Sequence, residues 1–146
     1  HSTHCGRPAL AGGMMADWSE LIEAAQQAQA QAYAPYSEYH VGSALLSDGK
    51  IYAGCNVENA SYGATVCAER NAIGSMIKAG GRRIEKLVVV TPSERPKSPC
   101  GVCRQVLAEF HHLGEFEVLS VGSTGQQHRQ LFSQLHPQGF GPKDLL

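Results

Sequence analysis

A continuous apolar run, LVVVT at residues 87–91, constrains the fold more than any other feature of this sequence. Unbroken apolar runs are typical of strands that are buried on both faces of a sheet. Helical periodicity precedes the run over residues 66–79, which Gly80-Gly81 ends, and follows it over residues 101–112. Because helices that separate strands require crossover connections, we expect an α/β domain whose sheet is covered on both faces.

Weaker patterns on either side of this segment predict the remaining elements. Asp17 is expected to cap a helix that runs to about Tyr33, with Glu20 as in a capping box and Pro35 as the stop. The tripeptide Ser47-Asp48-Gly49 predicts a tight turn between two strands. The predicted strands are residues 41–46, 51–57, 117–121 and 128–132, and residues 133–135 are expected to form a short helical turn.

The composition is that of an ordinary globular domain and limits the possible partners. The 146-residue chain is 42% hydrophobic and 17% charged, and its formal net charge is −1. This charge gives no positive field that would gather phosphates, so we expect no nucleic acid polymer as a partner. The sequence has no run of about 18 apolar residues, so we also expect no membrane span. A small neutral ligand fits these properties.

The first residues, HSTHCGRPALAGG, are too polar and too rich in glycine for a signal peptide. We expect residues 1–14 to be a disordered tail or an expression tag, and residues 15–146 to form a single catalytic domain. The natural start is expected at Met14 or Met15. Four cysteines of a secreted protein could form two disulfides, but we expect those after residue 14 to be reduced thiols in the cytoplasm.

Two short stretches carry the most reactive side chains: Cys67-Ala68-Glu69, and Pro99-Cys100-Gly101-Val102-Cys103. Each lies where a helix is predicted to begin, and the positive end of the helix dipole favours the thiolate that zinc binds. Three thiolates leave one position of a four-coordinate zinc for water, as in catalytic zinc sites. Cys55 is the spare cysteine, and we expect it to be a small buried apolar residue rather than a fourth ligand.

Glu69 lies two residues from Cys67, on the same predicted helical turn. Zinc lowers the pKa of a bound water, and a carboxylate that is not a ligand can take the proton and pass it to a leaving group. We therefore expect Glu69 to be the catalytic acid and base. Taken singly, the C-x-x-C pair also fits a structural zinc knuckle or a redox dithiol, and Glu69 fits a charge that complements the helix dipole.

The sequence resembles the cytidine deaminases over residues 34–145. The family pattern is a His or Cys ligand, any residue, a catalytic Glu and then P-C-x-x-C. The segments that carry the resemblance are PYS at 35–37, VGSALL at 41–46, GCNVENASYG at 54–63, CAERNA at 67–72, SPCGVCRQ at 98–105 and GFGPKDL at 139–145.

This resemblance implies a three-layer α/β/α fold with a mixed sheet of about five strands. It also implies one Zn²⁺ per subunit, a cytoplasmic homotetramer, and a free pyrimidine nucleoside as the small-molecule partner. The implied reaction is hydrolysis of cytidine and 2′-deoxycytidine to uridine and 2′-deoxyuridine with release of ammonia, a step of pyrimidine salvage. The alternative from another class is a non-catalytic zinc domain that binds a partner.

The resemblance further implies roles for individual residues. Arg70 and Gln105 match residues that hydrogen-bond the ligand sulfurs and so offset the charge of three thiolates. Tyr39 stands where relatives commonly have Phe beside the base, and its hydroxyl requires a partner or water. The implied zinc ligands are Cys67, Cys100 and Cys103, the catalytic residue is Glu69, and the substrate-binding residues are Tyr39, Asn56, Glu58, Ala60, Tyr62, Ala68 and Phe140.

Within that set, Asn56 and Glu58 are expected to hold the ribose hydroxyls. Backbone groups of Ala68, Ser98 and Cys100 are expected to read the edge of the pyrimidine. The loop with Ala60 and Tyr62 is expected to reach a neighbouring subunit, and Phe140 is expected to close over the base from an adjacent chain.

Overall fold

The computed structural model describes residues 17–146, so the expectations for residues 1–14 and for the natural start lie outside the described residues. The described chain forms one five-stranded sheet, four α-helices and two short 3-10 helices, Tyr62–Ala64 and Pro142–Asp144. The helices are α1 (Trp18–Gln29), α2 (Ala68–Lys78), α3 (Gly101–His111) and the short α4 (Phe132–Leu135). The strands are β1 (Gly42–Ser47), β2 (Lys50–Cys55), β3 (Lys86–Val90), β4 (Glu117–Val121) and β5 (Gln127–Leu131).

The sheet is mixed, with the strand order β2-β1-β3-β4-β5. Strands β3 and β4 are parallel, and the other three neighbouring pairs are antiparallel. Helix α1 packs in the apolar core on one face of the sheet, and helices α2, α3 and α4 pack in the core on the other. The predicted α/β fold with helices on both faces of a mixed five-stranded sheet is confirmed.

Strand β3 shows why its sequence is an unbroken apolar run. Val88 and Val90 belong to the core beneath α1, whereas Leu87 and Val89 belong to the core beneath α2 and α3. Successive side chains of a strand point to opposite faces, so a strand covered on both faces needs apolar residues at every position. The central position of β3 also brings its carboxyl end close to the first turns of the two helices that flank it in sequence.

The first helix and the hairpin follow local rules, but α1 is shorter than predicted. The Asp17 carboxylate accepts a hydrogen bond from the backbone N–H of Glu20 at 3.1 Å, as expected of the cap. The helix ends at Gln29 and does not continue to Tyr33, because the backbone of Tyr33 pairs with Asn56 and Glu58 beyond β2. The hairpin turn has positive φ at both Asp48 and Gly49, the geometry of a type I′ turn.

Strand β2 lies unusually close to the first turn of α2. A Cβ atom on Gly54 would lie 2.5 Å from the backbone nitrogen of Ala72 and 2.8 Å from the carbonyl oxygen of Ala68, so a larger residue does not fit. The side-chain amide of Asn71 donates to the carbonyl of Cys55 at 2.8 Å. These contacts fix the start of α2, where Cys67 and Glu69 lie.

Among residues 17–146, no helix has both the length and the apolar character needed to cross a bilayer.

Candidate functional site

The two predicted cysteine stretches meet at one point of the structure. Cys67 is the residue that caps α2, and Cys100 is the residue that caps α3, while Cys103 lies buried in the first turn of α3. The three sulfur atoms all lie within 4.8 Å of one another, and the Sγ atoms of Cys67 and Cys100 are 3.8 Å apart. All three are free thiols, as is Cys55, which lies at the end of β2.

This arrangement fits a zinc ion. Sulfurs held about 2.3 Å from a tetrahedral zinc lie about 3.8 Å from one another, and the separation of Cys67 and Cys100 matches that spacing. Two of the sulfurs lie at helix caps, where unpaired backbone N–H groups favour negative charge. Three thiolates leave a fourth ligand position open, which is the pattern of a catalytic and not of a structural zinc site.

The thiols are electrostatically coupled to one another. Hydrogen bonding with Cys103, supported by Arg70, lowers the pKa of Cys67 to about 5. The same hydrogen bond raises the pKa of Cys103, and burial acts in the same direction. Cys67 is therefore a thiolate at neutral pH, whereas Cys103 needs the charge of a divalent cation to lose its proton.

Glu69 lies in the first turn of α2 beside this cluster and is only 4% exposed. Burial raises the pKa of its carboxyl group to about 7, and the negative charge of Cys67 acts in the same direction, while Arg70 opposes it. A carboxyl group with a pKa near the working pH can both accept and donate a proton, which is the property a general acid–base needs.

Arg70 contacts the cysteine cluster as the sequence predicts. Its guanidinium donates to the Sγ atom of Cys67 over 3.6 Å and to the carbonyl of Thr65 over 3.2 Å. Hydrogen bonding to Cys67 raises the pKa of Arg70, so the guanidinium stays charged next to the thiolate. This contact partly offsets the negative charge of a three-thiolate site.

Gln105 was expected to hydrogen-bond a ligand sulfur, but its side chain has a different partner within the subunit. Its side-chain amide donates to the carbonyl oxygen of Phe140 at 2.9 Å instead of to a ligand sulfur. The physical reason is the helical period: Gln105 is two residues beyond Cys103, which places it about 200° around α3, on the exposed side. Within one subunit, Gln105 therefore ties the C-terminal segment to α3.

A cavity of about 450 Å³ opens beside the cysteine cluster. This volume lies in the range of small-molecule sites. Its lining includes residues with a predicted role in the site: Tyr39, Asn56, Glu58, Cys67, Ala68, Glu69, Ser98 and Cys100. The other lining residues are Ser37, Val41, Thr65, Val89, Thr91 and Lys97.

Asn56 and Glu58 form hydrogen bonds with the segment that precedes β1. The amide of Asn56 donates to the carbonyl of Tyr39 at 2.8 Å and accepts from the backbone N–H of Val41 at 2.9 Å. The Glu58 carboxylate accepts from the backbone N–H of Ser37 at 3.1 Å and from the Ser37 hydroxyl, and these bonds lower the pKa of Glu58. Both side chains therefore hold fixed positions at the wall of the cavity.

The Tyr39 hydroxyl has a hydrogen-bond partner in another loop. It lies 2.7 Å from the hydroxyl of Ser93, which belongs to the loop after β3. The backbone N–H of Tyr39 donates to the Ser37 hydroxyl at 3.0 Å. The additional hydroxyl noted in the sequence is thus satisfied, and it joins two loops at the rim of the cavity.

Three residues of the predicted substrate set lie outside this cavity. Ala60 is exposed, and Tyr62 is 78% exposed and contacts the ring of Tyr36 edge-on, with the ring centroids 6.3 Å apart. Phe140 is 58% exposed and lines a separate cavity next to α4. One subunit therefore does not bring these residues to the cysteine cluster, so their predicted roles need a neighbouring chain.

The sequence interpretation missed the part played by Arg104. Its guanidinium donates to the carbonyl of Pro99, the hydroxyl of Ser98 and the carbonyl of Leu135, each at 2.8 Å. These bonds fix the backbone that leads into Cys100. The signal available in the sequence was an arginine directly after Cys103, but nothing local shows which carbonyls a long side chain reaches.

Comparisons with known proteins agree with this geometry. A family model described as the cytidine and deoxycytidylate deaminase zinc-binding region matches residues 15–118. The cytidine deaminase of Sporosarcina psychrophila is 44% identical over 130 residues, which cover 88% of this chain and 95% of that protein. A cytidine deaminase of Mycobacterium tuberculosis, strain H37Rv, is 48% identical over 130 residues, which cover 88% of this chain and 93% of that protein.

A solved structure agrees as well. The crystal structure of cytidine deaminase from Burkholderia pseudomallei matches with a TM-score of 0.81 and 43% sequence identity, covering 86% of this chain and all of that one. The family model spans most of the chain, and its zinc-binding region includes Cys67, Cys100 and Cys103. The chain therefore belongs to the cytidine and deoxycytidylate deaminase family.

Proposed function

We propose that this protein is a zinc-dependent enzyme that hydrolyses cytidine and 2′-deoxycytidine to uridine and 2′-deoxyuridine, with release of ammonia. The observation that carries the proposal is the position of Glu69, buried beside three converging thiols at the wall of a cavity of about 450 Å³. The relatives named above are cytidine deaminases. The proposal takes residues 15–146 as one catalytic domain.

Cys67, Cys100 and Cys103 would hold the zinc ion. When bound, zinc supplies a Lewis acid that makes water a nucleophile near neutral pH. The role of the chain is to keep the three sulfurs at helix starts, where their charge is stabilised, and to hold Arg70 against Cys67. A zinc domain that only binds a partner has no need for a buried carboxylate at an open ligand position.

Glu69 would carry out the proton transfers of the reaction. One of its carboxylate oxygens takes a proton from the attacking water, whose oxygen adds to the ring carbon that bears the amino group. The protonated Glu69 delivers that proton to the ring nitrogen next to this carbon, and then takes the proton of the added hydroxyl and passes it to the amino nitrogen. The carbon–nitrogen bond breaks, and ammonia leaves as the ring carbonyl forms. A pKa of about 7 lets a single group take and return the proton.

The substrate is proposed to be a free nucleoside. Asn56 and Glu58 can form more hydrogen bonds than those they make to the backbone. An amide can both donate and accept more than one bond, and a carboxylate can accept several. They would hold the sugar at the outer part of the cavity, and the Tyr39 ring would lie beside the base. Backbone groups of Ala68 and Ser98 would form hydrogen bonds with the edge of the pyrimidine.

The test is ammonia release from cytidine by the zinc-loaded protein, compared with its Glu69→Gln variant. We expect the variant to keep its zinc and to lose activity by about 100- to 10,000-fold, because the substitution removes the proton carrier alone. Glu109→Gln, at an exposed position of α3, is the control and should keep full activity. A zinc-loaded wild-type protein that releases no ammonia would favour the non-catalytic zinc domain instead.

We also propose that the active form is a cytoplasmic homotetramer. The rings of Tyr62 and Phe140 are exposed and do not line the cavity beside Glu69, which supports a site completed by neighbouring chains. The free thiols support a reducing compartment. Specific activity should fall on dilution below the dissociation range of the assembly, and light scattering at the same concentrations should show smaller particles. Constant activity from a monomer would contradict the tetramer.

A further inference from the structure

Thr91 is a buried residue of the cavity wall. It follows the last residue of β3, and both Val89 and Thr91 line the cavity, as expected for residues two apart on one face of the sheet. Its backbone N–H donates to the carbonyl of Val121 at 3.1 Å, which fixes its position. The lining residues Glu69 and Thr91 are each only 4% exposed, whereas Ser37 is exposed.

The side chain of Thr91 is polar but unsatisfied. Its hydroxyl oxygen is buried, and within the part of the chain that the structure describes it has no hydrogen-bond partner. Buried hydroxyls without a partner are uncommon, because the lost hydrogen bond to water is not replaced. The cavity that Thr91 lines is large enough for a ligand to supply the missing partner once rotation about the Cα–Cβ bond turns the hydroxyl towards it.

We propose that Thr91 contacts the substrate: its hydroxyl forms a hydrogen bond with the polar edge of the pyrimidine base. This inference rests on the proposed function and adds a specificity-determining residue to it. The reacting carbon must lie near Glu69, which is as buried as Thr91, so the base takes the buried part of the cavity and the sugar lies towards Ser37. Thr91 therefore faces the base and not the ribose.

A hydroxyl suits this position because it both donates and accepts. It can accept a hydrogen bond from the amino group of cytidine and, after rotation, donate one to the carbonyl of uridine. Substrate and product then gain the same contact, so Thr91 contributes to the choice of base and to affinity for both ligands. It carries no proton in the reaction, which remains the role of Glu69.

The experiment compares Thr91→Val, which keeps the shape but removes the hydroxyl, with Thr91→Ser, which keeps the hydroxyl. We expect Thr91→Val to raise KM for cytidine and Ki for uridine about three- to tenfold, the loss of one neutral hydrogen bond, with kcat changed less than twofold. Thr91→Ser should restore most of the affinity. The melting temperature of ligand-free Thr91→Val should not fall, since an unsatisfied buried hydroxyl has been removed.

Ser47 provides the matched control. Its hydroxyl is also buried and without a partner among residues 17–146, but it lies at the end of β1 and does not line the cavity. Ser47→Ala should keep KM and Ki unchanged, and its melting temperature should also not fall. Equal shifts in KM for Ser47→Ala and Thr91→Val would overturn the assignment, because the effect would then be general to the core.

Ki values for uridine and 2′-deoxyuridine distinguish a contact with the base from a contact with the 2′-hydroxyl of the sugar. We expect Thr91→Val to weaken both by the same factor; a loss confined to uridine would mean that the hydroxyl contacts the 2′ position and would overturn the proposal. Unchanged Ki values for both would overturn it as well. A wild-type protein that does not deaminate cytidine would refute the proposed function, whereas an active wild type with an unaffected Thr91→Val refutes only this inference.

Discussion

At the scale of single residues, the environment of Glu69 decides what its carboxyl group can do. Burial raises the pKa of Glu69 to about 7, whereas Glu58, whose carboxylate accepts hydrogen bonds from Ser37, has a lowered pKa. The same functional group therefore suits proton transfer at one wall of the cavity and fixed hydrogen bonding at another. The two positions are 11 residues apart in the sequence, and the difference arises from burial and partners.

Arg70 provides a prediction at this scale. Arg70→Ala should keep the fold but lower turnover about ten- to a hundredfold, because Cys67 loses the positive charge that contacts its sulfur. The measurement is kcat for cytidine together with zinc content and a thermal melt. Lys78→Ala, at the exposed end of the same helix, controls for a general change of charge. Full turnover of a fully zinc-loaded Arg70→Ala would show that the guanidinium has no role in the reaction.

At the scale of elements, the site depends on how closely β2 approaches α2. Helix α2 starts with Cys67 and Glu69, and its first turn lies directly over Gly54. Helix α3 is held differently, by the bonds from Arg104 to the chain just before Cys100. The convergence of the three sulfurs is therefore a result of packing between elements and not of the motifs alone.

Two glycines at the same two elements make this testable. Gly54→Ala should destabilise the fold by about 1–3 kcal/mol and reduce zinc affinity, because its Cβ would collide with the backbone of α2. Gly74 lies inside α2 with open space around it, so Gly74→Ala should instead raise the free energy of unfolding by about 0.5–1 kcal/mol and leave activity unchanged. Urea unfolding and zinc titration check both; similar effects of the two substitutions would contradict the close-approach argument.

At the scale of the whole molecule, zinc is expected to join parts of the chain that are far apart in sequence. Cys67 and Cys100 cap different helices, and β3 lies between these helices in the sequence. Binding to the folded state alone adds directly to the free energy of unfolding. The metal site is therefore expected to contribute to stability as well as to the reaction.

Removal of zinc tests this contribution. Treatment with a strong chelator should lower the melting temperature by about 10 °C, since a ligand at about 1,000 times its Kd adds about 4 kcal/mol. Re-addition of zinc should restore the original melting temperature. The Cys103→Ala variant should melt at the same temperature with and without zinc, whereas Cys55→Ala should respond like the wild type. An equal melting temperature for zinc-loaded and zinc-free wild type would contradict the prediction.

The sequence by itself determined the features that depend on neighbours in the chain. The Asp17 cap, the Asp48-Gly49 turn and the unbroken apolar β3 all follow from local backbone and side-chain rules, and each is present in the structure. The pairing of Cys67 with Glu69, two residues apart at a helix start, is local in the same way. These features were predictable because their physical cause spans only a few residues.

Tertiary structure alone decided the contacts between distant segments. It ended α1 before Tyr33, directed Gln105 to Phe140 and gave the Tyr39 hydroxyl its partner in Ser93. It also left the Thr91 hydroxyl buried, with no hydrogen-bond partner among the described residues 17–146. None of these follows from local sequence, because burial and long-range hydrogen bonds depend on which elements pack together. The apolar run at residues 87–91 shows both sides: its composition fixed a strand covered on two faces, but only the packing placed Thr91 in the cavity.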